Sequence, residues 1–428
     1  MVDVPALIKI FVIFAVILFF NRLRLNLGVS LLIGALLLGL WMGLDFRNLL
    51  RSIFINLTRL QTIALALIVW LIMFLSGLME KSGNMDRLVK SFSSLSKDGR
   101  TVGAVMAALI GLLPMPGGAL FSAPMVDASV SGGSITSEQK TAVNYWFRHI
   151  WEFWWPLYPG VILAVALLEV ATLYFMAMMI SVTLLSILAG ILFILRPIGK
   201  IELNEQAEFS FQGIKYFIQE LIPILIVVFF IFAITLAGNA LQRFGFNIKI
   251  DSGLSVLPGL IVAIIWVCAV NKISARQIKI ALLKRNAWSM VLLILSIMVF
   301  KGMMSDSHAV LQIRNEMITH GIPIILVIVL MPFLSGLIMG IAVGFVGASF
   351  PLIIPMFQNP DLLNYLSTAG LAYTFGYMGM LLSPVHLCFL VSKDYFNAGF
   401  LSTYPQIIKP ALAVMLMSVI CYSLLNIF

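Results

Sequence analysis

The sequence predicts an all-α polytopic membrane protein built from two inverted-topology repeats, about ten transmembrane helices and two re-entrant hairpins. Three observations point there. Hydrophobic residues make up 61% of the 428-residue chain and charged residues 11%, where a soluble domain carries about 25% charge. Apolar runs close to the ~20 residues needed to cross a bilayer recur along the chain. Finally, one pattern occurs twice: Gly117, Ser122 and Pro124 in the first half are matched at the same spacing by Gly344, Ser349 and Pro351 in the second. Paired Gly/Pro interruptions in two halves point to a substrate site near the bilayer midplane.

Taken in order, spans are expected near 4–20, 26–44, 61–79, 153–168 and 172–195, then near 216–237, 253–271, 286–304, 366–391 and 409–427. Residues 1–200 form the first repeat, with a hairpin at 101–130 and a broken helix at 141–168. Residues 201–213 form a cytoplasmic linker, and 214–428 form the second repeat, with a hairpin at 322–357 and a broken helix at 366–391. Thr101 to Leu113 is only 13 residues, about 20 Å of helix. That is too short to cross, so it reads as a re-entrant arm. Ile322 to Val343 is long enough to span, but Pro332 is expected to break it and the duplication argues for a hairpin. Further matches support the repeat: Gly77 to Ser82 parallels Gly302 to Ser307, and Pro156 parallels Pro384. Thr136-Ser137-Glu138 reads as a capped start for the helix that follows the first hairpin.

Five crossings per half would invert the second half. The charges agree: on this topology eighteen Lys/Arg fall on one side and seven on the other, with Lys9 and Arg148 inside spans. The positive-inside rule makes the richer side cytoplasmic and both termini extracytoplasmic. The net charge of +9 thus reports topology rather than nucleic-acid binding, and a multi-pass protein of the cell (inner) membrane is expected. No cleavable signal pattern follows the first apolar run. Cys268, Cys388 and Cys421 lie in apolar stretches without metal or disulfide spacing and read as small hydrophobes.

Candidate chemistry concentrates between Asn144 and Pro159. Asn144, Arg148 and Glu152 fall at helical spacing and should line one face, and an ionisable residue within a span is a functional candidate. Arg148 suits an anionic group; Glu152, His149 or His386 suits a coupling proton. The bland alternative is an interfacial Arg148–Glu152 ion pair flanked by a belt of Trp151, Trp154 and Trp155. Substrate binding is expected from Pro116, Gly117, Gly118, Ser122, Asn144, Arg148, Gly347, Ser349 and Ser383. A Na⁺ site is expected near Gly117, Ser122, Gly347 and Ser349, where unwound carbonyls and hydroxyls gather. Alternatively, each serine satisfies a carbonyl of its own helix.

The layout of hairpins followed by broken helices, and the turn Gly77 to Leu88, resemble the ion transporter superfamily of citrate, dicarboxylate, gluconate and arsenite permeases. The resemblance implies a secondary carrier working by an elevator mechanism, often as a homodimer, with no cofactor beyond a coupling H⁺ or Na⁺. The Ser-Asn-Thr tips of the dicarboxylate carriers are replaced by Pro116-Gly117-Gly118 and Gly347-Ala348-Ser349, which leaves solute and ion open. The expected function is ion-coupled transport of a small, anionic organic solute within membrane lipid, not enzymatic catalysis. The competing readings are an intramembrane serine hydrolase using Ser349 and His386, and an uncoupled channel or lipid translocator.

Overall fold

The structure is a computed structural model that describes residues 4–23, 25–81, 98–114, 118–130, 135–201, 211–244, 254–321, 323–357 and 361–425. Pro116, Gly117, Ser82 to Leu88 and most of the 201–213 linker therefore lie outside the described residues. Among those described, every extended secondary-structure element is a helix.

The chain begins with α1 (Ala6–Arg22), α2 (Leu27–Trp41), α3 (Phe46–Thr58) and α4 (Leu60–Lys81). Two short helices follow, α5 (Gly99–Ile110) and α6 (Ala119–Ser129), packed on one another. Next come α7 (Ser137–Arg148), α8 (Pro159–Leu168) and α9 (Thr172–Gly190), which continues through a π-helical turn to Ile198. The second half runs α10 (Phe211–Arg243), α11 (Val256–Val270), α12 (Ala275–Leu282), α13 (Arg285–Asp306) and α14 (Ala309–Thr319). It ends with α15 (Ile324–Met339), α16 (Ala342–Ile353), α17 (Leu362–Leu381), α18 (Leu387–Tyr395) and α19 (Phe400–Leu425).

Length and composition suffice for a membrane crossing in Leu60–Lys81, Thr172–Ile198, Ile218–Arg243, Ala275–Asp306 and Phe400–Leu425. Leu184, Leu188, Phe229, Leu236, Leu412 and Leu416 are exposed on three of these. A water-soluble surface would not carry so much contiguous apolar area, and a bilayer explains it. By contrast, every residue of the ten-residue α8 is buried, which places it at the centre of the molecule.

Local chemistry sets the breaks. Thr136 caps α7 in a capping box with Gln139, as the Thr136–Glu138 stretch leads one to expect. The helix stops at Arg148, and residues 149–158 run as turns until Pro159 opens α8 at its first position, where its missing N–H costs nothing. Glu152 therefore does not extend the Asn144–Arg148 helical face. In the second half the expected break at Pro332 is absent: α15 runs through it. The interruption is instead at Gly340, whose φ of +64° is accessible to glycine at little cost. The stretch Gly344–Pro351 is correspondingly helical, inside α16. α17 ends at Leu381 and resumes as α18 after Ser383-Pro384.

Several helix ends far apart in sequence are tied in pairs. Lys284 Nζ lies 2.8 Å from Glu80 Oε2, Ser402 Oγ donates to Glu138 Oε1 at 2.9 Å, and Gly99 N donates to Ile201 O at 2.8 Å. Lys301 Nζ meets Glu169 Oε1 at 2.9 Å, Ser52 Oγ donates to Asp306 Oδ2 at 2.6 Å, and Ala6 N donates to Glu316 Oε1 at 2.7 Å. Tyr365 Oη donates to Leu168 O at 3.0 Å.

Candidate functional site

Four helix interruptions, two in each half of the chain, converge on one cavity of about 150 Å³. Its wall includes Pro114 from the α5–α6 break, Arg148, His149 and Glu152 from the end of α7, Ile341 from the α15–α16 break, and His386 and Cys388 from the α17–α18 break. Each interruption frees backbone carbonyls that an apolar interior cannot leave unmet. Aromatic side chains meet many of them. Tyr377 Oη donates to His149 O at 2.7 Å, Tyr373 Oη to Glu152 O at 2.9 Å, and Tyr145 Oη to Leu381 O at 2.9 Å. Trp151 Nε1 reaches Ala108 O at 2.7 Å, Trp155 Nε1 reaches Leu112 O at 3.0 Å, and Tyr158 Oη donates to Gly111 O. Trp151 and Trp155 thus staple the first two breaks together.

Arg148 is 2% exposed. Its guanidinium lies across Gly118, where a Cβ would stand 2.2 Å from Nη2, so only glycine permits this approach. Arg148 Nη1 is 4.0 Å from Glu152 Oε1, and His149 Nε2 is 3.9 Å from the same oxygen. The pair expected from i, i+4 spacing is therefore present in space, formed across a turn. His149 Nδ1 lies 2.5 Å from Tyr145 O, His386 Nδ1 lies 2.7 Å from Gly340 O, and the two Nε2 atoms face each other at 3.1 Å. The histidines join the two halves of the site.

The other expected positions sit around this centre. Asn144 is buried and its Nδ2 donates to Ala119 O at 3.2 Å and Ser392 Oγ at 2.9 Å, holding α6 and α18 to α7. Ser383 is buried beside Gly340, with its Oγ accepting from Val385 N at 3.3 Å. Ser122 Oγ lies 3.4 Å from Gly118 O, and Ser349 Oγ donates to Phe345 O at 2.6 Å, so both hydroxyls turn back on their own helices. Gly347 packs against Ile297, whose Cδ1 would be 2.4 Å from an added Cβ. Ser349 and His386 therefore each have other partners, and no hydroxyl–imidazole dyad forms between them. Sequence reasoning missed Cys388, which a two-residue separation from His386 could have flagged, and Gly340, which no local pattern distinguishes from neighbouring glycines.

Fold and site together define a helical membrane protein whose broken helices enclose a buried, charged centre. The chain belongs to the DUF401 family, described as proteins of unknown function, whose profile it matches over residues 4–425. No curated protein matches it.

Proposed function

We propose that this protein is a secondary transporter that moves a small, anionic organic solute across the inner membrane, coupled to H⁺ or Na⁺, by an elevator-type alternating-access cycle. The observation that carries this reading is the meeting of four helix interruptions, drawn from both halves of the chain, at a cavity walled by the buried Arg148. Non-helical backbone at membrane depth is tolerated where it lines such a cavity, and broken helices are the usual means of building a carrier's central site. Arg148 supplies the anion contact, and Glu152 balances its charge when the solute is absent.

The ten-crossing, inverted arrangement draws support from the tied helix ends, because each pair joins segments assigned to the same side. Lys284, Glu80, Glu138, Ser402 and Ile201 all belong to segments that the Lys/Arg bias assigns to the cytoplasm. Lys301, Glu169, Asp306, Glu316, Tyr365 and Ala6 all belong to segments assigned outside. Scrambled topology would join ends of unlike assignment.

The test is uptake into proteoliposomes of candidate organic anions, chosen by thermal shift on purified protein, with an imposed pH or Na⁺ gradient. Accumulation that collapses with the gradient is expected. Equilibration indifferent to either gradient would replace the carrier with an uncoupled channel.

A further inference from the structure

The geometry of His149 and His386 favours a cation between them. A backbone carbonyl only accepts hydrogen bonds, so Tyr145 O and Gly340 O fix the hydrogens of both rings on Nδ1. In neutral imidazole the other nitrogen is then a lone pair. Two such lone pairs, Nε2 against Nε2 at 3.1 Å, repel unless something positive lies between them. Nδ1–H donation to a backbone carbonyl is also how metal-bound histidines are oriented.

A third donor makes the cation more than a shared proton. Cys388 Sγ joins the two Nε2 atoms in a buried group whose ligand atoms all lie within 4.8 Å of one another. A single ion bonded at about 2.0–2.1 Å to nitrogen and about 2.3 Å to sulfur fits the two Nε2 atoms as they stand and draws Cys388 Sγ in by up to about 1 Å. We propose that His149, His386 and Cys388 bind one thiophilic metal ion of the Zn²⁺ or Cu⁺ class, with a fourth position open to the cavity. Imidazole and thiolate together select this class over Na⁺, Mg²⁺ or Ca²⁺, which prefer oxygen. Three protein ligands with one open position is the pattern of a site that exchanges a water or solute. Glu152, 3.9 Å from His149 Nε2, and the Cys388 thiolate offset the charge that the ion adds beside Arg148. This site does not depend on the transport reading, because it is defined by ligand geometry alone.

The experiment uses full-length protein in detergent carrying Cys268→Ser and Cys421→Ser, so that Cys388 is its one thiol. Co²⁺ is titrated as a spectroscopic stand-in, then competed with Zn²⁺. One Co²⁺ per chain is expected, with a near-ultraviolet thiolate-to-cobalt charge-transfer band that stoichiometric Zn²⁺ removes. Adding Cys388→Ser should abolish the band, and His386→Asn should weaken binding about tenfold or more. Gel filtration and thermal melting show that each variant is folded. A folded single-cysteine protein without the band, or equal Co²⁺ affinity after Cys388→Ser, overturns the proposal and leaves the histidines sharing a proton. Because binding is read in detergent, loss of metal and loss of uptake are scored separately.

Discussion

Arg148 shows how one residue organises its surroundings. Taking a guanidinium out of water costs several kcal/mol, so a nine-tenths-buried arginine persists only where its neighbours compensate. Glu152 does so at 4.0 Å, without the short, bidentate geometry that would satisfy the pair fully. Arg148→Lys keeps the charge but loses the planar fork, and should weaken anion binding about tenfold or more, read as the concentration dependence of thermal shift. Unchanged affinity would reduce Arg148 to a structural ion pair. Glu152→Gln removes the counter-charge and should abolish ion-coupled uptake while the protein still folds; wild-type uptake with the same gradient dependence would take Glu152 out of the coupling. Arg148, His149, Glu152 and His386 were legible in the sequence because ionisable groups stand out against apolar neighbours. The pairing of His149 with His386 was not, since it depends on how the two halves dock. Cys388 was hidden by its chemistry, a thiol in an apolar run being indistinguishable from a packing residue.

At the scale of elements, the breaks were more legible than their positions. Proline signals that a break lies nearby, yet α15 and α16 both absorb a proline, Pro332 and Pro351, because losing one hydrogen bond does not by itself end a packed helix. The interruption falls where the backbone turns left-handed, at Gly340, and there His386 finds its carbonyl partner. Gly340→Ala would force an L-residue to φ +64° and bring its Cβ within 3.0 Å of Ser383 Oγ. The expected cost is about 1–3 kcal/mol, measurable as a lower melting temperature in detergent, together with a displaced His386. A variant of wild-type stability would mean that the α15–α16 break is held by packing rather than by this residue. The amphipathic α3 and α12 escaped a reading based on 20-residue apolar windows. Their capped starts, Asp45 accepting from Asn48 N and Ser274 from Gln277 N, were the available signal.

Across the whole molecule, membrane-protein class follows from composition, whereas the proposed sidedness rests on agreement between charge and contacts. The Lys/Arg bias uses loops as isolated strings and knows nothing of packing; the ties Lys284–Glu80 and Lys301–Glu169 arise from packing and know nothing of the bias. That the two sort the helix ends alike is what supports the proposed inverted repeat. Single cysteines placed at Lys284 and at Glu169, in protein whose three native cysteines are replaced, test this directly. A membrane-impermeant maleimide applied to intact cells should label Glu169→Cys, which replaces a side chain 63% exposed, and should reach Lys284→Cys only after permeabilisation. The reverse pattern would turn the protein over, placing the termini inside while keeping the repeat. Labelling of both from one side would require an even number of crossings between Glu169 and Lys284, where the proposed topology has three, α9, α10 and α11. In that event the two halves could not be related by inversion, and the carrier reading would lose its structural basis.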